Sequence, residues 1–251
     1  MNYEGLHAAA KQSLSDCRDH PTRLTLWYLL LLCGVTAVFE IVQIWLNAAL
    51  GGMSGLQALD ARSRYDLYVA VVAVALPFLT SIWEAGYHWF ALKISRGRRV
   101  LFSDFAAGFR MFGQFLLLHL LKRIMIALWS VLFVIPGIVA AYRYRLAEKI
   151  LLDQPELSPL DAIRESRRLT QGHKLELFLL DLTFWLHYLI IFALESLPEV
   201  LAELGYLTAP ELEIGCYLAC AVVLLLVELH KLPLVQTTYA HAYNWILSRD
   251  R

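Results

Sequence analysis

The chain has 251 residues, of which 59% are hydrophobic and 18% charged. Soluble domains carry nearer ~45–50% apolar and ~25% charged residues, so a soluble enzyme, a disordered chain and a collagen-like fibre are excluded. Basic and acidic residues balance at 22 each, which implies no nucleic-acid partner.

Residues 1–23 form a polar N-terminal segment. Within it Glu4 to Arg18 predicts an amphipathic helix, with Leu6, Ala10, Leu14 and Cys17 on one face, of the kind that lies in the headgroup layer. Polar residues precede the first apolar block, so the start does not read as a signal peptide. Leu24–Leu50 is long enough for a retained transmembrane helix, and a second span follows at Leu67–Ile94. Gly51, Gly52, Ser54 and Gly55 mark a loop between them. Lys93, Arg96, Arg98 and Arg99 open a basic stretch, after which Leu101 to Arg110 reads as an interfacial helix.

Ile124–Tyr142, introduced by Lys122 and Arg123, is the next apolar block, and Pro136-Gly137 breaks it. Residues 143–174 predict a cytoplasmic region with a basic amphipathic helix. Its start is written in Ser158 at the N-cap, Pro159 at the first helical position and Asp161 in the first turn. Ala162, Ile163, Ser166 and Leu169 share one face, and Gly172 is a suitable stop. Two further spans are expected at Leu175–Leu194 and from Ile214 to about Val235, with interfacial aromatic residues after them. The four cysteines are too few for a disulfide framework in a chain of this size.

Charge then selects the topology. If every block crosses once, the five-span arrangement divides the basic residues ten to twelve, against the bias toward cytoplasmic Lys and Arg. If the Pro136-Gly137 block enters and leaves on one face, 20 of 22 fall inside, and Arg62 and Arg64 alone lie outside. The expected fold is therefore an all-α, polytopic transmembrane bundle forming one integral membrane domain over residues 1–251. It has four long spans plus a Pro-Gly hairpin, an even number of crossings up to six, amphipathic interfacial helices, and both termini cytoplasmic.

Several motifs occur in a fixed order: Trp129, Phe133-Val134-Ile135-Pro136-Gly137-Ile138, Tyr142 and Tyr144, then Leu152-Asp153, Pro155, Leu157-Ser158, Ala162-Ile163, Ser166 and Gly172-His173-Lys174. Pro233, Gln236-Thr237-Thr238-Tyr239-Ala240 and Tyr243 close the series. This order resembles the domain-of-unknown-function 975 family of bacterial integral membrane proteins. It is similar, more distantly, to the membrane domain attached to some glycerophosphodiester phosphodiesterases. The resemblance implies a multi-pass protein of the bacterial plasma (inner) membrane and implies no activity. One departure is the long acidic stretch Glu195–Glu213, where the family usually has a short Gly-rich turn.

Ionisable groups inside spans cost roughly 2.5–3.5 kcal/mol at mid-membrane and ask for a reason. Glu40, Gln43 and Asn47 form a stripe on the first span; Ser81, Glu84 and His88 form one on the second. Asp181 and Glu228 lie in later blocks. Together they define a candidate intramembrane polar pocket, read either as helix–helix glue or as a ligand pocket or cation pathway. Arg164, Arg167, Arg168 and Lys174 are candidate contacts for anionic lipid headgroups. Pro136 and Gly137 form a structural hinge. No catalytic motif, metal-ligand set or cofactor signature is present, so no enzyme, metal or cofactor is expected. Expected partners are the bilayer, anionic headgroups and another membrane protein. The leading expectation is an accessory, scaffold or tolerance factor acting by contact. The alternative is a small transporter or channel with a polar pathway through Glu40 and Glu84.

Overall fold

A computed structural model describes residues 1–17, 21–51, 55–101, 103–104, 107–206 and 210–250. The side chains of Glu40, Gln43 and Asn47 lie outside the described set, so that half of the polar stripe is placed only by its backbone. All regular structure among the described residues is helical. Three of the described helices are long and apolar enough to cross a membrane, over Phe112–Val131, Trp185–Glu203 and Ile214–Arg249.

The long helices α2 (Pro21–Gly51), α3 (Gly55–Ser95) and α11 (Pro210–Arg249) contain the spans expected from Leu24, Leu67 and Ile214. They converge at one end. Tyr28 and Leu29 of α2 pack on Tyr87, Phe90 and Ile94 of α3. Apart from Cys220, the buried apolar side chains of α11 fall between Val235 and Ile246 among the described residues. Here Thr25 and Tyr87 share a buried hydrogen bond of 2.8 Å between hydroxyls, which fixes the register of α2 on α3.

A cap of short helices closes this end. Asn2 caps α1 (Tyr3–Asp16), accepting from the Gly5 amide at 3.1 Å. Leu6 and Ala10 of α1 are buried as the spacing predicts. Their cover is protein, however: Leu6 sits among Leu180, Phe184, Val235 and Tyr239, so this face does not rest in the headgroup layer. In α8 (Pro159–Leu169), Ser158 accepts from the Asp161 amide at 3.2 Å, with Pro159 in the first turn. Its buried face carries Ala162, Ile163, Ser166 and Leu169, and Gly172 beyond it has φ +86°. That conformation suits Gly, which has no Cβ to clash.

Between α1 and α8 along the chain, three segments depart from the expected pattern. Lys122 and Arg123 do not begin an apolar helix; they lie inside α5 (Phe112–Leu132), after the one-turn α4 (Ala107–Arg110). The helix runs through them because Lys122 is neutralised by Glu148. The apolar block then stops at Phe133, whose backbone is extended (φ −163°, ψ 154°), three residues before the expected break. Helix α6 (Val134–Arg143) begins there, and Pro136 falls in its first turn, where a missing N–H costs no intrahelical bond. Gly137 meets Ser130: a Cβ at 137 would sit 3.0 Å from the Ser130 Cα and closer still to its hydroxyl.

The region 143–174 is also less polar in its setting than its sequence suggests. It contains α7 (Ala147–Asp153), buried from Ala147 through Leu152, including Glu148 and Lys149. Its neighbours include Phe115 and Leu118 of α5, Ile163 of α8 and Tyr243 of α11. The expected span Leu175–Leu194 is divided. Helix α9 (Lys174–Leu182) ends at Thr183, whose hydroxyl donates to the Leu180 carbonyl at 2.7 Å, and α10 (Trp185–Glu203) starts afresh. A back-bonding Thr and a 3₁₀-type bond from the Phe184 amide to the Asp181 carbonyl (2.9 Å) make this break without Pro or Gly.

Candidate functional site

The polar residues of the apolar helices are either bonded within the fold or face a cavity, and His88 and Glu228 do both. The bonded kind forms three knots. In the first, Lys122 meets the Glu148 carboxylate; His88 Nδ1 lies 3.0 Å from the other oxygen, and His119 Nδ1 lies 3.8 Å away. Burial alone would push the Glu148 carboxyl up, yet Lys122 and the two imidazoles hold it well below the usual range. Its neighbour Lys149 makes no hydrogen bond or ion pair among the described residues, and burial draws its ammonium down to about 8.

In the second knot Asp181 of α9 accepts from Arg145 and from two phenols, Tyr142 and Tyr239, each at 2.6 Å. Arg145 also lies 4.6 Å from the centre of the Tyr239 ring. Asp181 is therefore joined to α11 and to the turn after α6, and is not part of the pocket expected from sequence. In the third, Arg96 donates to both oxygens of Asp153 at 2.5 and 2.9 Å, while its Nε donates to Asn244 at 3.1 Å. Tyr243 donates to Asp153 at 3.3 Å. Burial raises the Asp153 carboxyl, but the bonds from Arg96 outweigh it and the net direction is down. The same pair raises the Arg96 guanidinium.

The second kind lines a cavity of ≈ 360 Å³ between α2, α3 and α11. This falls inside the range of about 300–1,000 Å³ typical of small-molecule sites. Helix α3 supplies Glu84, Tyr87 and His88, α11 supplies Glu228 and Gln236, and α2 supplies Tyr28. The spacing that drew attention to Glu84 and His88 is the i, i+4 relation that puts both on one face. Glu228 lies 3.3 Å from His187 of α10. Glu84 and Gln236 make no hydrogen bond and no ion pair among the described residues, and Glu84 is exposed on the open side of the cavity. Lys122 is engaged with Glu148, and Arg123 lies 4.7 Å from the Phe78 ring centre. Ser81 is buried one turn away but spends its hydroxyl on the Phe78 carbonyl at 2.7 Å.

The backbone places Glu40 at another level. With Thr25 opposite Tyr87, a rise of about 1.5 Å per residue puts Glu40 roughly 18 Å along the axis from Glu84. Among the basic residues of α8 and its neighbour, Arg164 is held by Asp161 (3.0 Å) and Arg168 by Glu165 and Asp250 (2.6 Å each). Arg167 and Lys174 make no ion pair among the described residues. No group of three or more metal-ligating side chains occurs among the described residues.

Glu148 is the residue that the sequence reading passed over, while Lys122 stood there only as the start of an apolar block. The visible signal was Glu148-Lys149 inside the apolar run Leu146 to Leu152. Asp153, which stood in the sequence only as one motif residue, is the acceptor of Arg96.

No curated protein and no solved structure matches the chain. The likeness to glycerophosphodiester phosphodiesterase membrane domains has no counterpart in these comparisons. Residues 131–250, from the end of α5 through the cap to the end of α11, match the family model described as Protein of unknown function (DUF975). That stretch, a little under half of the chain, carries α7, Asp153, Asp181, Glu228 and Gln236, and it is this part that is similar to the DUF975 family.

Proposed function

We propose that this is a non-enzymatic, multi-pass protein of the bacterial plasma membrane that acts by contact, holding a membrane-soluble ligand in the cavity between α2, α3 and α11. One contrast carries the reading. Glu148, Asp181 and Glu228 each meet a basic side chain, as structural glue must. Glu84 meets none, although an unpaired carboxyl at membrane depth is costly. A group with an external partner resolves that cost.

The orientation rests on where charge gathers. The N-terminal ammonium lies 2.8 Å from Glu176, and Arg168 reaches Asp250, so both termini, α8 and the Arg96–Arg99 turn share the capped end. This supports a cytoplasmic cap even with Lys122 and Arg123 inside α5. The ten residues of α6 span about 15 Å, half of a ~30 Å hydrocarbon layer, and the segment before it is apolar and exposed at Val131 and Phe133. Both features favour a re-entrant α5–α6 element over two full crossings.

A transport pathway is the second reading. It is favoured by the contact from cavity-lining His88 to Glu148, which links the cavity to the buried Lys122 pair. Its continuation past Glu40 falls on side chains outside the described set.

Replacement of Glu84 by Gln and by Leu separates glue from ligand site. Both variants should reach the membrane and melt within a few degrees of the parent in nanodiscs, while Asp181→Leu should accumulate poorly. If Glu84→Leu is lost as Asp181→Leu is, Glu84 is glue and the ligand reading fails.

A further inference from the structure

Resting on the reading of this cavity as a ligand site, we infer that its ligand is an amphiphilic ammonium ion that enters sideways from the lipid. The lining offers a carboxylate and, among the described residues, no unengaged cation. Glu84 offers a carboxylate with no ion pair among the described residues, and Gln236 in the same lining offers an amide with no hydrogen bond among them. His88 Nδ1 lies 3.0 Å from the Glu148 carboxylate, so this imidazole is turned toward the Lys122 pair and not toward a ligand. The nearby cations are engaged elsewhere, Lys122 with Glu148 and Arg123 with the Phe78 ring. An anion would meet Glu84 without a counter-charge. An ammonium group finds the Glu84 carboxylate and the Gln236 amide within one site.

The rest of the lining fits the body of such a molecule. Tyr28 and Tyr87, their rings 4.5 Å apart and tilted by 39°, form a buried aromatic part of the lining. Leu29, Leu32 and Leu232 give an aliphatic wall. Glu84 lies on the open side, so the charged head can dock while the tail remains in apolar surroundings. Glu228, already beside His187, adds to the negative field without being the primary contact.

The test uses the full chain in nanodiscs of zwitterionic lipid, with decylammonium as probe and decanoate and decanol as comparators. The readout is the unfolding midpoint against probe concentration. Decylammonium should raise the midpoint saturably. Glu84→Gln should weaken its apparent affinity about 10- to 100-fold, the loss expected for a charge-assisted hydrogen bond. Leu32→Trp, which fills the cavity and changes no charge, should remove the effect. A saturable shift by decanoate or decanol that Leu32→Trp abolishes would keep the ligand site and overturn the ammonium assignment. No saturable shift by any of the three would overturn both. An equal decylammonium shift in the parent and in both variants is membrane partition and also overturns the proposal.

Discussion

Lys122 and Glu148 form an ion pair in which both side chains are mostly buried, although they are 26 positions apart and lie on α5 and α7. The pair explains why an apolar helix tolerates a lysine at its centre, and why a charged residue sits in a buried helix of the cap. Glu148 also lies beside two histidines, so removing Lys122 leaves the carboxylate with partners that are charged only when protonated.

Lys122→Met should therefore destabilise the fold by about 3–5 kcal/mol, the cost of an orphaned buried charge. Adding Glu148→Met should recover most of that loss. Chemical denaturation in mixed micelles measures both. A double variant as weak as the single one would show that the pair does not act as a unit.

Lys149 is buried with no ion pair or hydrogen bond among the described residues, and burial draws its ammonium down to about 8. Its folded form takes up a proton less readily than the unfolded form. The resulting penalty is full below about pH 8, shrinks as the pH rises, and is gone above the unfolded value near ~10.4. Lys149→Met should stabilise the protein at pH 7 by on the order of 1–2 kcal/mol, with the advantage fading by pH 10. A loss of stability at pH 7 would mean that the amine has a stabilising role.

Asp153 carries the opposite dependence. Its carboxyl is held low by Arg96, so the unfolded state takes up a proton first as the pH falls. The stabilisation is whole above the unfolded value near ~4 and is lost as the pH drops through the folded value. Asp153→Asn should flatten the acid limb of a stability–pH curve. Arg96→Gln should flatten the same limb, and an unchanged limb in both would place the acid sensitivity elsewhere.

Gly137 has no room for a side chain against Ser130. Gly137→Leu should force α6 away from α5 and lower accumulation in the membrane several-fold. Ser130→Gly, which removes the hydroxyl and Cβ nearest to a residue at 137, should restore part of it for Gly137→Ala. Quantitative membrane immunoblotting checks both.

Topology can be read by single cysteines in a background lacking Cys17, Cys33, Cys216 and Cys220. Arg167→Cys should resist an impermeant thiol reagent in intact cells, and Glu199→Cys should react. External labelling at 167 would reverse the orientation of the cap.

The legible parts of this fold were those with local causes. Ser158, Pro159 and Asp161 specify the start of α8 through hydrogen bonds within one turn, and its buried face follows from helical spacing. Glu84 and His88 were visible because an ionisable pair at i, i+4 stands out in an apolar helix. The opposite holds for Lys122, which looks like a helix boundary until Glu148 is brought beside it by the turn after α6. The break at Thr183 was hidden for a similar reason. It has neither Pro nor Gly, and Asp181 is anchored by residues 39 and 58 positions away. Leu6 and Ala10 were correctly placed on one face, but their cover comes from α9 and α11, so periodicity alone could not separate a protein surface from a lipid one.

The burial of α7 has a consequence for biogenesis. Its Asp153 is bonded by Tyr243, and the cluster around it is completed by Ala240 and Ile246, nearly a hundred residues later. During synthesis α7 emerges early and stays without this cover until the last turns of α11 clear the ribosome. With the cap on the cytoplasmic side, as proposed, the nascent chain would over that interval display this apolar segment and its lysine to the ribosomal side of the membrane, where chaperones could bind it. A chain stalled before Tyr239 would hold its long spans but not its cap, and would be selectively open to the proteases that survey that surface.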